Sequence, residues 1–327
     1  MIITRTPFRI SFFGGGTDYP QWFKDNGGAV VSATIDKFCW ITCRRLPPFF
    51  EHKSRIIYSV IENVRNVNEM KHPSARECLK FLEVKDGLEI HHDGDLPART
   101  GLGSSSSFTV GLLHALYGLQ GKMVSKVQLS RDAIYVEQNM IKENVGCQDQ
   151  IAAAFGGLNR IEFTSCGDFR VDPVVMKAER LSALECRLML FYTGLSRIAS
   201  EVAAEQINNI STKKAELSSI RNMVDQSLDI LTSNQNLKSF GELLHEGWLI
   251  KKSLSSRITT SEIDSMYAAA RKAGAVGGKL LGAGGGGFVL LYVEPDDQPQ
   301  VRQALARYLH VPFCFESRGS QVVFYQP

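Results

Sequence analysis

The sequence predicts a two-domain protein that mixes strands with helices, on three observations. Its 327 residues suffice for about two domains. Apolar runs rich in β-branched and aromatic residues open the chain, as strands require, and helical patterns follow them. Near residues 172–185 the texture changes, and helical patterns then dominate from about 197 to 274.

The elements follow in chain order. Residues 2–13 and 28–45 read as strands, the second through Ala29-Val-Val-Ser-Ala-Thr-Ile35 and Cys39-Trp-Ile-Thr-Cys43. Further strands are expected at 55–60 and 88–92, and a helix at 73–83. A helix also follows residue 107, with Phe108, Leu112, Leu113, Leu116 and Leu119 on one face. Ser125-Lys-Val-Gln128 fits a capping box that opens a helix running to about Asn144. A short helix from Asp149 should stop at Gly156-Gly157. Arg187 to Tyr192 reads as a strand. The chain closes with strands at 287–293 and 311–325 around a helix at about 298–309. No internal repeat interrupts this order.

Bulk properties exclude several classes of function. Hydrophobic residues make up 44% and charged residues 22%, as in an ordinary folded domain. A net charge of +3, with Arg44-Arg45 as the only adjacent arginines, argues against nucleic acid as a partner. No apolar run approaches the ~20 residues of a membrane span, so no membrane partner is expected. Seven scattered cysteines without a C-x-x-C pair point to reduced thiols and, with no secretion signal at the N-terminus, to the cytoplasm. Asn209-Ile-Ser211 then reads as a chance glycosylation sequon.

The most informative stretch runs from Asp95 to Phe108 and contains Pro97, Gly101-Leu102-Gly103 and Ser104 to Ser107. Two glycines let a backbone approach an anion closely, and the positive end of the following helix points at whatever the loop holds. A plain Gly/Ser linker is the alternative reading. Two other segments weigh against it. Pro7-Phe-Arg-Ile-Ser-Phe-Phe-Gly-Gly-Gly-Thr-Asp-Tyr-Pro20 sends an apolar strand carrying Arg9 into three glycines and then Asp18. Gly277-Gly-Lys-Leu-Leu-Gly-Ala-Gly-Gly-Gly-Gly-Phe288 is the third. It matches the dinucleotide-binding pattern only formally, because a strand and not a helix follows the glycines, and Lys279 lacks the Ser or Thr of a Walker loop.

Together the three segments resemble those of the GHMP kinases, in that family's order and across nearly the whole chain. The resemblance implies a two-domain α+β enzyme. Residues 1–178 would form an ATP-binding and catalytic domain like ribosomal protein S5 domain 2. Residues 179–327 would form a ferredoxin-like domain, with ATP and substrate between the two. Pro97, Gly101, Leu102, Gly103, Ser104, Ser105 and Ser106 would cradle ATP. Ser105 and Glu137 would bind Mg2+ as hard oxygen ligands. Gly146-Cys-Gln-Asp149-Gln resembles a galactokinase segment, and the spacing from Glu137 to Asp149 also fits that branch. Asp149 would then be the general base and Arg9 its neighbouring cation. Standing alone, Glu137 reads as a surface glutamate and Asp149 as a helix cap.

Gly14-Gly15-Gly16-Thr17-Asp18-Tyr19 replaces the Gly-Glu-His-Thr-Asp-Tyr of galactokinase, which argues against galactose. The chain is more similar to bacterial D-glycero-D-manno-heptose 7-phosphate kinases, also through Ile35-Asp-Lys37 and Tyr192-Thr-Gly-Leu-Ser-Arg197. That implies phosphorylation of the anomeric C1 hydroxyl to the 1,7-bisphosphate, for nucleotide-activated heptose in surface polysaccharide. Substrate contacts are expected at Arg9, Gly15, Gly16, Thr17, Asp18, Gly284 and Gly285, with Lys37 and Arg197 as the cations for the substrate phosphate. A free-sugar kinase of fucokinase or galactokinase type and a non-catalytic sugar and ATP sensor are the alternatives. A homodimer is compatible with this reading, although the sequence does not specify the assembly.

Overall fold

The computed structural model describes residues 1–98, 100–195 and 199–327. One sheet has eight strands: β1 (Ile2–Phe13), β2 (Gly28–Arg45), β3 (Ser54–Ile57), β4 (Ile61–Val64), β5 (Leu88–Gly94), β6 (Leu158–Phe163), β7 (Phe169–Pro173) and β12 (Gln321–Tyr325). Its order is β12-β1-β2-β5-β3-β4, with β6 pairing β2 and carrying β7. The 18 residues of β2 pair β1 along one edge and two strands along the other, β6 beside residues 28–33 and β5 beside residues 39–45. Between Thr34 and Phe38 the register against β1 shifts, so residues 35–37 form a bulge.

Short α1 (Pro20–Asn26) follows β1, and α2 (Pro73–Phe81), α3 (Ser104–Leu119), α4 (Lys126–Tyr135) and α5 (Gln148–Phe155) complete this half. Helix α3 lies directly on β1. A Cβ at Gly118 would sit 2.2 Å from Ile2 Cδ1, and one at Gly111 would sit 2.8 Å from Thr6 Oγ1, so a larger residue at either position would have to displace the β1 side chain it meets. The shared core includes Ile2, Phe8, Ile10, Ile41, Leu112, Leu113 and Leu116, all buried.

After α6 (Ala178–Glu185), a second, antiparallel sheet has the order β11-β8-β10-β9. Its strands are β8 (Leu188–Tyr192), β9 (Gly277–Leu280), β10 (Phe288–Tyr292) and β11 (Leu309–His310). Helices α7 (Ala199–Asn209), α8 (Lys214–Thr232), α9 (Lys238–Lys252), α10 (Ser261–Lys272) and α11 (Gln298–Ala304) belong to this half. The chain then returns, and β12 pairs β1.

Several local expectations need correction. The helix expected to run to Asn144 gives way after Tyr135 to a π-type turn, Val136–Ile141, ended by Lys142 in the left-handed region at φ 63°. Ser125 does cap α4 by accepting from Gln128 N, but the Gln128 side chain donates to Asp132, so the reciprocal half of the box is unused. Helix α11 stops at Ala304, not 309, and only 321–325 of the expected closing strand forms. Residues 311–320 form no strand with β2 beyond the isolated bridge of Ile35 to Phe315, which the Thr34 hydroxyl and the Asp36 carboxylate reinforce through Glu316 and Cys314. Strands β4, β6, β7, β9 and β11 are additional. Each is short, six residues at most, and its apolar alternation is too brief to stand out in sequence.

Candidate active site

Strand β1 delivers Arg9 and the second residue of α5 delivers Asp149. Arg9 is 4% exposed and uses its whole guanidinium. Nε donates to Asp149 Oδ1 and Nη2 to Oδ2, both at 2.7 Å, while Nη1 donates to the Gly101 carbonyl at 2.7 Å. The two parallel bonds are the fork geometry that fixes a carboxylate in orientation as well as charge. Arg9 N also donates to the Leu102 carbonyl at 3.1 Å, so the glycine loop is pinned to β1 beside the pair. A Cβ at Gly103 would lie 3.3 Å from Asp149 Oδ2, and Gly103 has φ 75°; glycine lets the loop turn against the carboxylate.

Gly103 is also the N-cap of α3, and as a glycine it offers no side-chain cap. The N–H groups of Ser104, Ser105 and Ser106 begin this 16-residue helix, so the positive end of its dipole opens next to Asp149. The loop is braced from behind. Thr100 Oγ1 donates to the Pro97 carbonyl, Leu102 is buried, and Ser107 Oγ donates to the Pro7 carbonyl.

Glu137, on the π-type turn, is fully buried. Its Oε2 accepts from Ser106 Oγ at 2.9 Å and from Gln150 Nε2 at 2.5 Å, whereas Oε1 has no partner. Burial pushes its carboxyl up to about 7 and nearby Glu143 adds to this, against the neighbouring Thr109 hydroxyl and the hydrogen bonds from Ser106 and Gln150. Ser105 is exposed, and Ser106 is the serine whose hydroxyl donates to Glu137. A buried carboxylate with one vacant oxygen, beside a hydroxyl and a helix N-terminus, suits Mg2+. That ion takes one or two carboxylates and completes its shell with phosphate and water. Among the described residues no group of three or more His, Cys, Asp or Glu assembles, so the donor set is a sparse one of this kind.

Asp18 is 2% exposed and faces Asp149 from the next loop. Oδ1 accepts from Gly16 N at 2.9 Å and Oδ2 from Gln148 N at 3.4 Å, while the Asp18 carbonyl accepts from Cys147 N. Burial raises its carboxyl, and the charge of Asp149 acts in the same direction. A Cβ at Gly146 would fall 1.8 Å from Asp18 Oδ2, so glycine there admits the carboxylate. Thr17 Oγ1 is occupied within the turn, donating to the Gly14 and Ala29 carbonyls and accepting from Ala29 N. Gly15 lies near Ser11 and Gln148, whose Oγ and Oε1 are buried without partners. Gly16 packs against Leu217 of α8.

The third glycine segment closes the site. A Cβ on Gly282 would lie 2.4 Å from Gly101 Cα, and one on Gly287 would lie 2.1 Å from the Thr100 carbonyl. Gly284 and Gly285 lie against Ile258, with Gly285 N donating to its carbonyl. Two buried lysines hold this segment. Lys251 Nζ donates to the carbonyls of Gly282 at 2.5 Å and Leu280 at 3.3 Å, and Lys279 Nζ to that of Phe12 at 2.7 Å. Burial lowers Lys251 to about 8, with Arg9 adding to the shift and Asp18 opposing it. It lowers Lys279 as well, helped by Lys251 and Arg9. Sequence reasoning passed over Lys251. The signal was its place in register with Leu244 and Trp248 on the buried face of α9.

Of the two cations expected to hold a substrate phosphate, Lys37 lies on the β2 bulge and pairs with Asp36 at 2.9 Å. Arg197 lies outside the described residues.

The model for the GHMP kinases N terminal domain matches residues 57–157, and that for the GHMP kinases C terminal domain matches residues 229–311. The chain belongs to the GHMP kinase superfamily. Like others of that superfamily, this GHMP kinase is a phosphotransferase with a two-domain α+β fold. It is 26% identical over 317 residues to D-glycero-alpha-D-manno-heptose 7-phosphate kinase of Campylobacter jejuni, covering 94% of this chain and 93% of that one. It is 24% identical to the galactokinase of Pyrococcus furiosus, covering 97% and 96%. Among solved structures, a D-glycero-D-manno-heptose 1-phosphate kinase from Bacteroides thetaiotaomicron superposes with a TM-score of 0.79 at 23% identity. It spans 100% of both chains and shares the fold.

Proposed function

We propose that this GHMP kinase transfers the terminal phosphoryl group of ATP to the C1 hydroxyl of D-glycero-D-manno-heptose 7-phosphate, giving the 1,7-bisphosphate. The single observation that carries the kinase reading is the bidentate Arg9–Asp149 pair set against Gly103 at the open end of α3. Asp149 accepts the proton of the attacking hydroxyl. Arg9 holds the carboxylate in place and stabilises negative charge developing on the sugar oxygen. The N–H groups at the start of α3 bind the phosphates, since phosphoryl transfer depends on positioning and charge neutralisation. Mg2+, held by Glu137 with a hydroxyl from Ser105 or Ser106, supplies further neutralisation of phosphate charge when bound. Lys251 and Lys279 brace the glycine segment behind Arg9 through their bonds to backbone carbonyls. The division at residues 178/179 into S5-like and ferredoxin-like domains belongs to the same proposal.

The choice of a heptose phosphate rests on Gly14-Gly15-Gly16 in place of the galactokinase Glu-His pair and on the Campylobacter relative. Release of ADP from Mg·ATP, measured over D-glycero-D-manno-heptose 7-phosphate, mannose, galactose, fucose, mevalonate and homoserine, tests it. Turnover confined to the heptose phosphate is expected. Turnover on a free sugar keeps the kinase and removes the phosphate requirement, whereas silence on every compound rejects the substrate assignment.

A further inference from the structure

A cavity of about 670 Å³ opens on the far side of the turn that carries Glu137, and none of Arg9, Asp18, Ser106, Glu137 or Asp149 lines it. Its volume falls in the range of small-molecule pockets. One wall is apolar: Phe23, Phe163, Phe169 and Ile207, with the first two rings stacked 5.4 Å apart. Lys24, Arg131 and Lys142 stand around it. Arg131 pairs with Asp168 at 2.8 Å, but neither Lys24 nor Lys142 makes an ion pair among the described residues. Lys142 holds a left-handed backbone that glycine adopts more easily, a strain of the kind found at ligand sites. Glu143 also lines the cavity, so the rim is not purely cationic.

The same turn faces the cleft and the cavity. Glu137 points inward, while Gln138, Asn139 and Lys142 line the cavity. The Glu137 carbonyl accepts from the N–H groups of both Lys142 and Glu143. Gln138 Nε2 donates to the Val145 carbonyl at 2.9 Å and to Cys147 Sγ at 3.3 Å, and Cys147 N donates to the Asp18 carbonyl at 3.0 Å. A ligand that orders Gln138 and Lys142 therefore acts on the backbone that places Glu137 and Asp18.

We propose that this cavity is a second ligand site, for a small organic anion with an aromatic ring, coupled to the catalytic cleft through the turn at residues 136–141. The ring packs on the Phe23–Phe163 wall and the anion lies between Lys24 and Lys142.

Cys166 lines the cavity and is exposed, whereas Cys186 is exposed elsewhere, so the two thiols make an internal comparison. The probe is anilinonaphthalene sulfonate, and carbamidomethylation by iodoacetamide is mapped by mass spectrometry. At ten times its Kd the probe should slow alkylation of Cys166 about tenfold and leave Cys186 unchanged. The double variant Lys24→Gln, Lys142→Gly should keep its melting temperature and bind the probe about fivefold more weakly. Equal protection of both thiols, or equal binding by the variant, overturns the site. Coupling is read by titrating adenylyl imidodiphosphate with Mg2+ calorimetrically: saturating probe should change its Kd about fivefold, and the nucleotide should change the probe's Kd by the same factor. An unchanged Kd overturns the coupling, and complete displacement of the probe by nucleotide overturns a separate site. The Cys166 comparison does not depend on the chain being an ATP-dependent kinase. A nucleotide that fails to bind refutes that reading while the protection result still decides the cavity.

Discussion

Asp149 and Arg9 hold each other through two bonds of 2.7 Å, and the chemistry assigned to them differs from the folding role they share. Asp149→Asn removes the proposed proton acceptor and preserves shape. Turnover should fall by roughly 10²–10⁴ while nucleotide affinity measured calorimetrically stays within a few-fold. Near-normal turnover rejects Asp149 as the base. Arg9→Lys keeps the charge but loses the fork, leaving the Gly101 carbonyl and one carboxylate oxygen without their donors. A stability loss of about 1–3 kcal/mol in urea unfolding is expected, together with reduced turnover. A variant as stable as the parent would show that the loop is held by other contacts.

Helix α2 begins at a histidine cap, and its stability should therefore respond to acid. His72 Nδ1 accepts from Ala75 N, and the ring packs 4.4 Å from that of Phe108 on α3. Burial lowers His72 to about 4, with His92 acting in the same direction and Glu62 opposing. An unfolded histidine binds its proton near pH 6.5, so between pH 6.5 and 4 the unfolded chain carries more protons than the folded one. This contribution is complete above pH 6.5 and is lost as pH falls toward 4, by an amount on the order of 3 kcal/mol. His72→Asn keeps a capping acceptor without the titration. The difference in unfolding free energy between wild type and variant should change across that window; a constant difference means that His72 does not titrate as assigned.

At the scale of the molecule, the cleft exists because two glycine segments far apart in sequence touch. Gly282 has φ 74°, and its Cβ would meet Gly101 Cα at 2.4 Å. Gly282→Ala should therefore lower stability by about 1–3 kcal/mol and reduce turnover together, since the ATP loop cannot keep its place against the third segment. Unchanged melting and turnover would show that the two segments tolerate separation. Lys251→Met removes the donor to the Leu280 and Gly282 carbonyls, and a loss of about 1–3 kcal/mol in the same unfolding assay is expected.

What the sequence determined by itself is local or periodic. Strands β1 and β2, helix α3 and the helical run from α7 to α10 show their periods over many residues. Gly101 and Gly103 stand out because backbone freedom belongs to residue type, whereas Asp149 and Glu137 stand out only through the resemblance to the GHMP kinases. The tertiary structure alone decided which side chains meet. Ser106 rather than Ser105 reaches Glu137, because the pitch of α3 turns one serine inward and its neighbour outward. Lys251 and Lys279 reach the cleft only when α9 and β9 bring them beside Arg9. Residues 321–325 pair with β1 although more than 300 positions separate them. No local pattern records these meetings, since burial and hydrogen bonding between distant segments depend on how the whole chain packs.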